Sequence, residues 1–120
     1  MTENSTILIV DDEYLIGLAL ADELQLRGLG IAGPYVTSKM AEENFADDAP
    51  DFAFLDVNLG KGRTSHDFAL SLIEKGIPVV FLTGYSEMRP SDARFDDVPI
   101  LSKPVDIQMA LNAIEAGLKA

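Results

Sequence analysis

The 120-residue chain reads as one α/β domain, a doubly wound parallel sheet of five strands with helices on both faces. Three observations predict this. The short runs Ile7–Val10, Phe52–Leu55 and Pro78–Leu82 are apolar on consecutive positions, as strands covered on both faces are. Segments with helical spacing alternate with them. Several runs also end on charge: Ile7–Val10 into Asp11-Asp12, Phe52–Leu55 into Asp56, and Ile100–Leu101 through Ser102 into Lys103-Pro104. The C-terminal ends of parallel strands share one edge, where open α/β sheets build their sites.

The elements follow in order. Thr6–Val10 is β-branched and aliphatic, hence a strand. Tyr14 to Arg27 predicts a helix, with Ile16, Leu20 and Leu24 inward and Asp22, Glu23, Gln25 and Arg27 outward. Gly28 and Gly30 close it. Leu29 to Gly33 is a weaker strand, stopped by Pro34. Thr37 or Ser38 caps a second helix through Asp47, with Ala41 and Phe45 inward. Pro50-Asp51 precedes the third strand, Phe52–Leu55. Asn58 to Ser65, with Gly60 and Gly62, is a loop. His66 to Lys75 is the third helix, with Phe68, Ala69, Leu72 and Ile73 as its apolar stripe and Gly76 as its stop. Pro78–Leu82 is the fourth strand, ended by Thr83-Gly84. Tyr85 to Val98, interrupted by Pro90 and rich in Asp, predicts a short or irregular fourth helix. Ile100–Leu101 is a brief fifth strand. Val105 to Leu118 is the last helix, because Ile107, Leu111, Ile114 and Leu118 share a face. Right-handed crossovers turn this alternation into a parallel sheet, and residues 1–120 are read as one domain.

Composition narrows the function classes. The net charge of −11 opposes direct binding to nucleic acid, which needs Lys and Arg against phosphate. There is no cysteine, so neither disulfides nor thiolate metal sites are available. No basic, apolar leader opens the chain, and no apolar run approaches the roughly 20 residues of a membrane span. A cytoplasmic protein with no membrane partner is expected.

Taken singly, the charged residues are ambiguous. An Asp-Asp pair is common at helix starts, where it complements the dipole. Asp56 alone reads as a turn residue, Lys103 as a solvated charge and Thr83 as an ordinary strand end. His66, the only histidine, opens a predicted helix and reads as a surface residue. Jointly, three carboxylates and a lysine at one sheet edge suit a divalent cation and a phosphoryl group.

Asp11-Asp12, Asp56, Thr83 and Lys103-Pro104, in this order at successive strand ends, resemble the receiver domain of two-component response regulators, and the resemblance covers the whole chain. It implies the flavodoxin-like (βα)5 fold with strand order 2-1-3-4-5. It implies that Asp56 is the phosphoacceptor, with Mg2+ as cofactor. Asp12 and Asp56 would supply direct carboxylate ligands, Asp11 a direct or water-mediated one, and Asn58 its backbone carbonyl. Lys103 would offer a point charge to a phosphoryl oxygen, aimed by Pro104 through a peptide bond that is commonly cis in the family. Thr83 would donate its hydroxyl to another oxygen, and Gly84 would leave room for a donor histidine or water. The implied partners are a histidine kinase or histidine phosphotransfer protein and an unknown downstream protein. The fourth helix, fifth strand and last helix would form the output surface. Such a domain assists only its own phosphorylation and dephosphorylation, so no other enzyme activity is expected.

The chain departs from the family pattern at Ile100, three residues before the lysine, where most receivers carry Tyr or Phe. Phe81-Leu82-Thr83-Gly84-Tyr85 instead resembles an alphaproteobacterial subgroup with a Phe-x-Thr-Gly-Tyr motif and no strand-five aromatic. Tyr85 then either takes over part of the signalling role or covers the site rim, and by shielding the acyl phosphate it would slow hydrolysis. Three alternatives stand beside the phosphorylation switch. One is a constitutive receiver-like interaction module, and another is the receiver part of a longer regulator. The third is an acyl-phosphate hydrolase, disfavoured because Asp56-Val57-Asn58 lacks an Asp-x-Asp signature.

Overall fold

Five parallel strands in the order β2-β1-β3-β4-β5 form the sheet of the computed structural model, which describes residues 5–45, 49–57, 65–84 and 93–119. The strands are β1 (Thr6–Val10), β2 (Gly30–Tyr35), β3 (Phe52–Asp56), β4 (Val79–Thr83) and β5 (Ile100–Ser102). The helices are α1 (Tyr14–Gln25), α2 (Ser38–Phe45), α3 (His66–Glu74) and α4 (Ile107–Lys119). All residues of β3 and β4 are buried, because these central strands are covered on both faces.

Alternation along the strands divides the core in two. Leu8, Val10, Ala53, Leu55 and Phe81 face α2 and α3. Ile7, Ile9, Phe52, Phe54, Val80 and Leu82 face α1 and α4, where Leu20, Leu24, Ala110 and Ile114 fill the layer. The predicted inward residues Ile16, Ile107, Leu111 and Leu118 are only half-buried, since they flank these stripes.

Local chemistry sets the element ends. The Thr37 hydroxyl accepts the Met40 amide, so Thr37, not Ser38, caps α2. Ala41 is buried beneath it, while residues 46–48 and the Phe45 side chain lie outside what is described. The Asp106 carboxylate accepts the amides of Gln108 and Met109, which starts α4 at Ile107 rather than Val105. The Leu72 carbonyl accepts the amides of Lys75 and Ile77, ending α3 at Glu74, with Gly76 at φ +80. Within the expected fourth helix, the described residues contain one 3-10 turn, Ala93–Phe95.

Two expectations are corrected. Pro34 does not stop the second strand, which runs to Tyr35. β2 lies at the sheet edge, where proline is tolerated, and its register with β1 shifts between Leu8 and Val10. Gly33, at φ +101, makes that bulge, because a Cβ there would lie 2.8 Å from the Ile9 carbonyl oxygen. His66 is not a surface residue. It is half-buried, with its ring packed against Phe81 and Phe95. It shares a helix face with the buried Ala69, three residues on, so its ring points toward the sheet.

Candidate functional site

Register brings the predicted residues to one edge. Val10 pairs with Leu55, Asp56 with Leu82, and Thr83 with Ser102. The residues following or ending these strands, Asp11, Asp56, Thr83 and Lys103, therefore meet at the C-terminal end of the sheet. Backbone bonds fix them there. The Asp11 amide donates to the Tyr35 carbonyl at 2.9 Å and the Lys103 amide to the Thr83 carbonyl at 2.8 Å. The Lys103–Pro104 peptide is cis.

Asp11 is fully buried, and Asp56 and Thr83 are each 4% exposed. Lys103 Nζ donates to Asp11 Oδ1 and Asp56 Oδ2, both at 2.9 Å, and to Glu13 Oε1 at 3.2 Å. Its side chain is itself only 5% exposed. A flexible stem with a point charge suits this role, since one ammonium can address several acids at once. Asp11 Oδ1 also accepts the Glu13 amide at 2.9 Å.

The charges alter one another. Burial pushes the Asp56 carboxyl up to about 7, against the downward pull of Lys103, and the neighbouring Asp12 and Asp11 add to the rise. Burial draws Lys103 down, but its bonds to Asp56 and Asp11 outweigh this and hold it above the ordinary lysine range.

The donor set fits a divalent cation. Carboxylate oxygens of Asp11, Asp12, Glu13 and Asp56 lie within 4.8 Å of one another, with Asp12 and Glu13 exposed. Asp11 Oδ2 is buried and has no hydrogen-bond partner among the described residues. Hard, crowded oxygens with an orphan lone pair are what a hard cation relieves.

Beside the site, a groove of about 510 Å³ runs between α1 and the Lys103–Ile107 turn, lined by Glu13, Leu15, Ile16, Gly84, Pro104 and Val105 among others. Gly84 is exposed, and a Cβ on it would meet nothing within 4 Å among the described residues. Ile100 pairs with Phe81 and is half-buried against the core. The ligand expected from Asn58 and the role expected of Tyr85 lie outside the described residues.

Two site residues escaped the sequence reading. Glu13 follows the Asp pair but was not singled out, although it binds Lys103. Ser65, fully buried, donates its hydroxyl to the Asp56 carbonyl at 2.7 Å and so ties the start of α3 to β3. Only its place at a helix start could have suggested this.

No protein-family model matches the chain. It is 33% identical over 117 residues to the transcriptional regulatory protein PdtaR of Mycobacterium tuberculosis, a match covering 93% of this chain and 56% of PdtaR. The chain thus spans little more than half the length of that curated relative. Among solved structures, SdrG from Sphingomonas melonis Fr1 is 38% identical, with both chains fully covered and a TM-score of 0.82. The PhyR response regulator REC domain of Erythrobacter litoralis is 26% identical over 97% of this chain and 91% of that one, with a TM-score of 0.77.

Proposed function

The chain belongs to the response regulator receiver domains, and on that premise we propose that Asp56 accepts a phosphoryl group from a histidine kinase or histidine phosphotransfer protein in a two-component phosphorelay. The observation that carries this reading is the buried Lys103 ammonium, bonded to Asp56 and Asp11 at 2.9 Å each where the strands end.

In the reaction, an Asp56 carboxylate oxygen forms a bond to phosphorus as the donor's phosphorus–nitrogen bond breaks, and the bonding pair stays on the donor imidazole. Such transfers depend mainly on positioning and charge neutralisation. Asp11, Asp12, Asp56 and the Asn58 carbonyl would hold a Mg2+ ion, whose charge offsets that of the phosphoryl oxygens. Lys103 moves one N–H to a phosphoryl oxygen, and the Thr83 hydroxyl donates to another. The groove beside Gly84, with Leu15 77% exposed on α1, suits a partner that carries the donor imidazole.

Phosphorylation then shifts a balance between two surface conformations, read by a downstream protein or relieved by onward transfer. Phe81-Leu82-Thr83-Gly84-Tyr85 and the aliphatic Ile100 support reading the chain as similar to the subgroup without a strand-five aromatic. The test is incubation with Mg2+ and a small phosphodonor. An acid-stable, base-labile mass increase that is lost in Asp56→Asn is expected. No increase would instead favour a constitutive interaction module, and sustained multiple-turnover phosphate release would favour a hydrolase.

A further inference from the structure

Two routes lead from the site to one half-buried ring, that of His66. Ser65, whose hydroxyl holds the Asp56 carbonyl at 2.7 Å, is followed directly by His66. Phe81 precedes Thr83 by two residues in β4, so the two share a face of the sheet. The His66 ring stands 6.2 Å from Phe81 and 5.6 Å from Phe95, and Phe81 meets Phe95 edge-on at 5.3 Å. Phe95, 1% exposed, anchors the 3-10 turn and the polar residues that follow it. Phe81 of this cluster pairs in register with Ile100, the strand-five position that carries no aromatic ring.

His66 differs from its neighbours in one respect. Its Nε2 is buried and has no hydrogen-bond partner among the described residues. The large majority of buried side-chain polar atoms in native proteins are paired, and an orphan raises the free energy of the arrangement that holds it. A rearrangement of Phe81 and Phe95 that gave Nε2 a partner would recover that cost, to set against the cost of repacking the rings.

We propose that His66 is a positioning residue of the switch, holding Phe81 and Phe95 in a destabilised resting arrangement so that a change at Asp56 and Thr83 passes to residues 93–98. The inference rests on the phosphoacceptor reading and concerns the regulation of that site. His66 touches neither the phosphoryl group nor the cation; it acts through Ser65, Phe81 and Phe95.

The test uses the full chain with Mg2+ and beryllofluoride as the phosphoryl mimic, followed by amide and aromatic NMR. In the wild type, resonances of Asp56 and Thr83 and those of Phe95–Val98 are expected to move together. His66→Phe keeps a ring and removes the orphan nitrogen. It is expected to raise the thermal midpoint of the resting protein and to raise the beryllofluoride concentration giving a half-maximal response at Phe95–Val98 by about tenfold. His66→Leu, a second variant in case the larger ring is not accommodated, is expected to raise that concentration in the same direction. A lower midpoint with an unchanged response would make His66 merely structural and overturn the proposal. Movement at Asp56 and Thr83 in the wild type without movement at Phe95–Val98 would overturn it while leaving the phosphoacceptor reading intact. No movement at Asp56 or Thr83 in the wild type would overturn both.

Discussion

Lys103 Nζ reaches the carboxylate of Glu13 at 3.2 Å across 90 residues of sequence, and of its three acid partners Glu13 is the exposed one. The other two, Asp11 and Asp56, are buried strand-end residues. Glu13 therefore occupies the N–H that an incoming phosphoryl oxygen needs, and its negative charge opposes that oxygen. An exposed partner of this kind is worth roughly 0–1 kcal/mol. Glu13→Gln is expected to leave the denaturation midpoint nearly unchanged. It should speed phosphorylation by a small phosphodonor up to about fivefold, followed by mass spectrometry in time.

Lys103→Ala leaves two buried carboxylates without their cation. Removing one partner of a buried pair costs roughly 3–5 kcal/mol. Urea denaturation at pH 8 in chelator should show that loss, and Mg2+ should restore part of it by binding the folded state.

The ion-free protein also carries a pH signature. Asp56 ionises near 3.8 in an unfolded chain and near 7 when folded. The folded state therefore holds the extra proton between these values. Asp56's contribution to stability is full below the lower value and lost as pH rises through the upper one. In chelator, the urea midpoint should be higher at about pH 5 than at about pH 8, with the difference reduced in Asp56→Asn.

Ser65→Ala withdraws a fully buried hydroxyl from the Asp56 carbonyl. A loss of about 1–2 kcal/mol is expected from chemical denaturation. The mass increase at Asp56 should still form, since no reacting atom is removed.

Gly117 marks a close approach of α4 to the sheet. A Cβ there would lie 2.6 Å from Phe52 Cε2 and 3.0 Å from the Pro78 Cβ, and Phe52 is fully buried. Alanine gains about 1 kcal/mol of helix propensity, but overpacking costs roughly 1–3 kcal/mol. Gly117→Ala should lower the thermal midpoint.

Much of this was legible in the chain. β3 and β4 announce themselves because strands covered on both faces carry unbroken apolar runs, and α4 because its stripe repeats at helical spacing. The meeting of Asp11, Asp56 and Lys103 follows from strand ends in a parallel sheet. β2 was cut short because proline disqualifies a central strand, whereas here it sits in a bulge at the edge. Glu13 and Ser65 escape such a reading, and His66 reads as a surface residue, for a different reason. Each acquires its role from a partner distant in sequence, and the pattern around each reads only as a polar helix start.

The bulged strand has a consequence for assembly. The sheet's two open margins are β2, interrupted by Gly33 and Pro34, and β5, three residues long. Neither offers the straight, unbroken row of amides and carbonyls on which another strand could zip. Extension of the sheet by a neighbouring molecule is thus disfavoured at both sides, which leaves helices and loops as the surfaces a partner would meet. Recognition is thereby confined to surfaces that can be reshaped without breaking the sheet.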